Sequence, residues 1–321
     1  MAEYKSIKGT QIQVSAGDLT NPKIGQIWYN KTTQVLRGRV IAPAAWSTGE
    51  DMTKTRRSFG YAGTQTAALA AAGGYPAFAT TEEYDGTNWS NANNMTAAKF
   101  DLAGAGLQTA AAIWGGDMNP AVTYEYDGTN WTTGGALGIT VRNSGGFGLQ
   151  TAAVSCGGQS PGNPYTNATE EYNGTSWADS NDLNTTRSRL MAMGVLTAGL
   201  AAGGTIDPGV LASTEEYDGT SWANSNGLNT ARKESGSSSG TQTAAIVFGG
   251  LSPATGNVAL TEIYDGTSFS NDAAMGTARG YLRGCGSTTA GLGFGGYVTA
   301  ISALTEEYTG AAAGTVTIDP V

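Results

Sequence analysis

The sequence contains no histidine. Histidine is the usual general base near neutral pH and the commonest metal ligand, so its absence removes Ser-His and Cys-His nucleophile pairs and most zinc, copper and haem sites. Cysteine is nearly absent too: Cys156 and Cys285 are too few for a disulfide framework and fall in no metal-binding spacing, which leaves two small buried thiols as the expectation. Charge is scarce, 13% Asp, Glu, Lys and Arg where about 25% is usual. Its balance is acidic, with 17 basic against 26 acidic residues and a net charge of −9, so a phosphate-neutralising groove for nucleic acid is not expected. No apolar run reaches membrane-spanning length; the longest, 67–72, stops at Gly73-Gly74. Residues 1–10 contain no apolar core of a signal peptide. The expectation is a soluble chain with no membrane insertion, no cofactor and no metal.

What the chain has is glycine, 48 of 321 residues, together with 14 Tyr and 7 Trp. That mixture suits short strands joined by tight turns rather than disorder, which needs high charge and few aromatics. The glycines are not scattered. Gly-Gly pairs begin at Gly73, Gly115, Gly157, Gly203, Gly249 and Gly295, at steps of 42, 42, 46, 46 and 46 residues. Behind them come Tyr84, Tyr126, Tyr172, Tyr217, Tyr264 and Tyr308, all but the last opening a Tyr-Asp/Asn-Gly-Thr turn. Five residues later stand Trp89, Trp131, Trp177, Trp222 and Phe269, while the aromatic due after Tyr308 is missing there.

It appears at the other end of the chain, as Trp46. A basic residue follows each aromatic, giving Arg56, Lys99, Arg142, Arg187, Arg232 and Arg279, with the second repeat one residue longer than the rest. The unit is thus split between the chain ends. A circular array closed by the N-terminal segment explains the split with one assumption, whereas an open solenoid leaves two incomplete ends. Each unit reads as four strands: in the first, 58–62, 67–72, 81–84 and a strand opening at Trp89, with Asp85-Gly86 as a hairpin turn. The fold class expected is all-β, a six-bladed propeller over 41–310 closed by an N-terminal strand, preceded by a β-hairpin attachment segment over 1–40 and followed by a tail over 311–321. Trp46, Trp89, Trp131, Trp177, Trp222 and Phe269 are expected in its core, and the six basic residues in a structural ring paired with the glutamates of the Glu-Glu-Tyr phrases.

Gly-Gly, then Tyr-Asp, then Trp, then a basic residue opening the next unit resembles the kelch repeat of β-propellers, over Trp46 to Tyr308. The connection from Tyr to Trp is shorter than the usual kelch pattern, and without histidine the copper site of kelch-type oxidases does not carry over. The phrases Gly63-Thr-Gln-Thr-Ala-Ala-Leu69, Thr81-Glu-Glu-Tyr-Asp-Gly-Thr-Asn-Trp89 and Gly25-Gln-Ile-Trp-Tyr-Asn-Lys-Thr-Thr-Gln-Val-Leu-Arg37 are similar to propeller proteins encoded by bacteriophages of marine cyanobacteria. The resemblance implies a virion or tail-associated protein in several copies per particle, with the N-terminal segment contacting other virion proteins. It supplies a place, not a mechanism.

Specificity is expected on the loops that follow each Gly-Gly, which vary in length and composition while the turns at the opposite face are short. They carry Tyr75, Phe78, Asp117, Asn119, Gln159, Asn163, Tyr165, Asp207, Asn257 and Tyr297, rings beside amides and carboxylates that suit a host-surface glycan or a protein. The same Asn and Gly residues also serve turn geometry. Glu82-Glu83 and its counterparts imitate the paired acids of a glycosidase, but they recur in unit after unit, where catalysis needs one constellation. No catalytic residue is expected; a carboxylate-based glycan-degrading enzyme and a capsid or neck decoration protein are the alternatives to host binding.

Overall fold

The computed structural model describes residues 12–117, 121–237 and 240–318, without the side chains of 163 and 164. It is all-β, with no helix among the described residues. Two compact units are separable, one running from Ala45 to Thr309, the other made of the residues up to Ala44 together with those from Gly310.

The larger unit repeats one four-stranded antiparallel sheet. In its first copy Gly60–Thr64 pairs with Ala67–Ala71, that strand with Thr81–Tyr84, and that with Trp89–Ala92. Copies of this order follow from Leu102–Leu107, Gly145–Leu149, Met191–Val195 and Gly236–Ser237. The sixth is assembled from both chain ends: Arg283–Gly286, Ala290–Phe294 and Thr305–Thr309 take Ala45–Thr48 as the outer strand, with Trp46 opposite Tyr308. The first strands begin two residues later than the sequence predicts, because Ser58 and Arg189 are held in the left-handed region at φ of 53° and 56° and cannot extend a strand.

Those residues belong to a series. Ser58, Asp101, Asn143, Arg189, Glu234 and Tyr281, one before each first strand, all have φ between 53° and 59°. Each donates its backbone N–H to the carbonyl of its counterpart in the preceding sheet: Asp101 to Ser58 at 2.7 Å, Asn143 to Asp101 at 3.0 Å, Arg189 to Asn143 at 2.8 Å, Glu234 to Arg189 at 3.1 Å, Tyr281 to Glu234 at 2.8 Å, and Ser58 back to Tyr281 at 3.3 Å. An unusual backbone conformation thus persists because each occupant satisfies its neighbour.

Side chains repeat this neighbour-to-neighbour wiring. The hydroxyls of Tyr126 and Tyr172 donate to Glu83 and Glu125 of the preceding sheet at 2.8 and 2.6 Å, Tyr84 reaches Glu307 at 2.5 Å, and Tyr217 and Tyr264 reach Glu171 and Glu216. Tyr308 finds Ile263 where a glutamate would stand and donates to Asp272 instead, at 3.0 Å. Indole Nε1–H groups run the same way: Trp89 to Thr305, Trp131 to Thr81, Trp177 to Thr123, Trp222 to Thr169 and Trp46 to Thr261, all at 2.9–3.1 Å. Trp89, Trp131 and Trp222 combine this bond with burial, while Trp46 and Trp177 make it half-buried; Phe269 is buried without one, and Thr214 Oγ1, its would-be acceptor, is buried and unpartnered.

The basic ring needs correction. Arg56, Arg187, Arg232 and Arg279 are fully buried and pair with Glu82, Glu215 (2.7 Å), Glu262 (2.5 Å) and Glu306 (3.3 Å). Lys99 has no carboxylate, because Tyr124 occupies the glutamate position two residues before Tyr126, and its Nζ donates to the Asp117 carbonyl at 2.7 Å. Arg142 is exposed and outside the ring. Val141, 4% exposed, takes its place: the Val141 carbonyl accepts from Gly116 as those of Arg187 and Arg232 accept from Gly158 and Gly204. The extra residue read into the second repeat is therefore a shifted arginine. Its cost falls on Glu170, buried with only the N–H groups of Gly138 and Ile139, and burial pushes its carboxyl above the usual range.

In the smaller unit the predicted hairpin forms, Ile27–Asn30 against Val35–Ala42. Gln13–Ser15 adds a parallel strand on one side. The tail over 311–321 is not separate: Ala312–Ile318 pairs along Val35–Ala42, from Leu36 opposite Ile318 to Ala42 opposite Ala312. Trp28 and Leu36 form its buried centre. Residues 1–11 and 319–321 lie outside the described residues.

Two outcomes follow. Phe269→Trp restores an indole donor to Thr214 and raises the melting temperature by about 2–3 °C, the equivalent of one hydrogen bond of about 1 kcal/mol; calorimetry on Phe269→Trp with and without Thr214→Val checks it, the gain vanishing in the double variant. Glu170→Gln stabilises at pH 7. A carboxyl whose folded pKa is raised above its unfolded value of about 4.3 destabilises the fold only where the unfolded chain ionises. The advantage of the glutamine therefore disappears as pH falls below that value, which melting curves from pH 3 to 8 measure.

Candidate ligand-binding site

The paired glycines bring the chain to one face of the sheets. Gly204, at φ +95°, shows why the second glycine recurs: a Cβ there meets the Ser188 carbonyl oxygen at 2.7 Å. The loops beyond are then tied down by the post-aromatic segment, whose Met95, Leu183 and Leu228 N–H groups donate to the carbonyls of Ala79, Asn167 and Ala212 at 2.9 Å. Loop residues are thus presented on a fixed base.

The predicted site residues divide into several groups. Tyr75 is exposed at 69% and stands edge-on to Phe100 at 5.9 Å. Phe78 is half-buried beneath the Lys54 ammonium, 4.4 Å from the ring centre. Asp117 is engaged in the fold, its Oδ1 accepting from the Phe100 N–H at 3.1 Å. Asn257 is likewise a tie, its Nδ2 donating to the carbonyls of Tyr297 and Val298 at 3.1 and 2.9 Å. Asp207 is exposed in the tight connection between Thr205–Ile206 and Gly209–Val210. Asn163 opens the long strand Asn163–Tyr172, in which Tyr165 is half-buried. Asn119 lies outside the described residues.

Gln159 and Tyr297 lead to a centre that the sequence reading missed. Gln159 Oε1 accepts from Asn143 Nδ2 at 3.3 Å, and the same amide donates to Asp101 Oδ2 at 3.1 Å. The Arg57 guanidinium lies 5.4 Å from the ring of Tyr281 and 5.6 Å from that of Tyr297. Loop side chains therefore meet the left-handed series. Within it Glu234 is buried between two cations, Arg189 Nε at 3.4 Å and Arg283 Nη1 at 3.8 Å. Burial pushes its carboxyl up while Arg283 and Arg189 pull it down, and the net direction is upward. Arg283 is itself pinned by the carbonyls of Phe59 at 3.1 Å and Leu102 at 3.4 Å. The cavity these groups line is narrow, with room for about one water-sized group, and it opens to solvent.

A signal for this centre is present in the sequence: the residue two places after each basic position, or after Val141, is different in every repeat. The same comparison corrects the opposite face. Its turn positions Leu107, Leu149 and Val195 are apolar and 45–49% exposed, where Thr64 and Ser287 stand in other repeats.

Cys156 and Cys285 are buried and free, and burial pushes the Cys156 thiol up to about 12. No cluster of three His, Cys, Asp or Glu suits a metal ion among the described residues. No helix among the described residues is long and apolar enough to cross a membrane. What the site has is hydrogen-bonding capacity on a rigid frame.

No protein-family profile matches this sequence, and no curated protein is similar to it.

Proposed function

We propose that the larger unit is a six-bladed kelch-like β-propeller, and that the chain is a non-enzymatic component of a bacteriophage particle, tail-associated, which binds the host surface through the face bearing the Gly-Gly loops. The propeller reading is supported by the recurring four-stranded sheet and by the series of backbone bonds that returns from Tyr281 to Ser58. The virion reading rests on the sequence resemblance to phage propeller proteins, with the hairpin segment as the part that meets other virion proteins.

One observation carries the assignment of binding to this face. Most framework positions keep their chemistry from repeat to repeat, as Arg with Glu, Tyr with carboxylate and Trp with Thr, with Lys99, Tyr124, Val141 and Phe269 as the departures. The left-handed positions instead carry Ser58, Asp101, Asn143, Arg189, Glu234 and Tyr281, six different side chains on one backbone geometry. Packing demands the same of each, so their divergence answers to something outside the framework. Variable groups on a rigid scaffold are how recognition surfaces are built.

Immunogold labelling of particles of the encoding phage tests the reading. Label at the distal tail is expected, with host-cell adsorption weakened about tenfold by Tyr75→Ala combined with Tyr297→Ala while the melting temperature holds. Label on the capsid shell or neck would make this a decoration protein, and absence of label from the particle would end the virion assignment.

A further inference from the structure

Three buried polar atoms at the cavity among the left-handed residues have no hydrogen-bond partner: Asn143 Oδ1, Glu234 Oε1 and Arg189 Nε. Asn143 and Glu234 are each 3% exposed. The amide orientation is fixed, because Asn143 Nδ2 already donates to Asp101 and Gln159. The 3.4 Å separation of Arg189 Nε from Glu234 Oε1 is an ion pair without hydrogen-bond alignment. Leaving such groups unmade costs about 1–3 kcal/mol each, and here three of them belong to residues lining one cavity.

The demand these atoms make is specific. Two are acceptors and one is a donor, so a bound group must both donate and accept. A hydroxyl does so; an ammonium only donates and a carboxylate only accepts. Charge points the same way. Glu234 and Asp101 are balanced by Arg189 and Arg283, so the cluster exerts little net pull on an ion of either sign. Tyr281, next in the series after Glu234, lies beside Arg57 and Tyr297, and puts aromatic surface near the cavity for the apolar face of a ring.

We infer that this cavity is the subsite for one hydroxyl of a neutral saccharide, which accepts from Arg189 Nε and donates to Glu234 Oε1 or Asn143 Oδ1, with the sugar ring outside at the mouth beside Tyr281. The inference rests on the reading of this face as the recognition surface and gives it a ligand class and a centre. It shifts the weight from Asp117 and Asn257, whose polar groups are spent on the fold, to residues none of which the loop lengths identify.

The test is binding of the purified full-length chain to an array of neutral and acidic saccharides, followed by titration of the neutral sugar bound best. Glu234→Ala and Arg189→Met each weaken binding about tenfold or more, the loss of one charge-assisted hydrogen bond. Glu234→Gln, which keeps an acceptor oxygen, weakens it much less. If a variant unfolds, the wild-type chain still decides: phenylglyoxal modification of Arg189, read by peptide mass, is blocked by saturating sugar. No binding of any neutral saccharide, undiminished binding by Glu234→Ala and Arg189→Met, or an unprotected Arg189 would each overturn the subsite. Binding that survives those variants but falls with Tyr75→Ala and Tyr297→Ala removes the subsite and leaves recognition by the face standing. Sugar binding by a chain that proves absent from the virion does the reverse.

Discussion

The structure depends on each sheet being finished by its neighbour. A four-stranded sheet of 42 to 46 residues per repeat cannot cover its own aromatic face. Here it also cannot satisfy its own polar groups: the Tyr126 hydroxyl needs Glu83, the Trp131 indole needs Thr81, and the Asn143 N–H needs the Asp101 carbonyl, all in the sheet before. Such wiring has no natural end, which is why the outer strand of the last sheet is taken from the start of the chain. Trp46 opposite Tyr308 lets the sixth sheet both give and receive: Tyr84 of the first sheet donates to Glu307, and Trp46 donates to Thr261 of the fifth.

Exceptions show how much each wire matters. Where Tyr124 replaces a glutamate, Lys99 turns to a carbonyl. Where Val141 replaces an arginine, Glu170 holds only backbone N–H groups and its proton affinity rises. Removing one partner from a buried ion pair is more costly than replacing both by apolar groups, and the second and third repeats each retain one partner. The third repeat is also where the strands Ala152–Ser160 and Asn163–Tyr172 run longest.

The repeated part of this architecture was legible in the sequence because a residue type that recurs at a fixed step must serve a recurring contact. Gly-Gly, Tyr, Trp and Arg announced sheets, edges and buried pairs in this way. The split unit announced the closing strand. Two kinds of feature were not legible. Ala312–Ile318 pairs with Val35–Ala42 across nearly the whole chain, and neither strand belongs to a periodic pattern. The polar centre around Glu234 was hidden for the opposite reason: recurrence identifies framework, so positions that differ in every repeat were passed over in favour of loops that differ in length. Register adds a third difficulty, since Arg142 sits beside the ring position that Val141 fills.

Closure of the last sheet by Ala45–Thr48 is tested most directly by a cross-link. Ala45 and Thr309 face each other at the exposed end of that pairing, and both native thiols are buried, so the variant pair Ala45→Cys and Thr309→Cys reports on this contact alone. The account predicts a disulfide formed on mild oxidation, a single unfolding transition, and a melting temperature raised by several degrees that returns to the starting value on reduction, the loop-closure entropy of so long a loop setting an upper limit of about 5 kcal/mol. Failure of the two cysteines to join in the folded protein would contradict it.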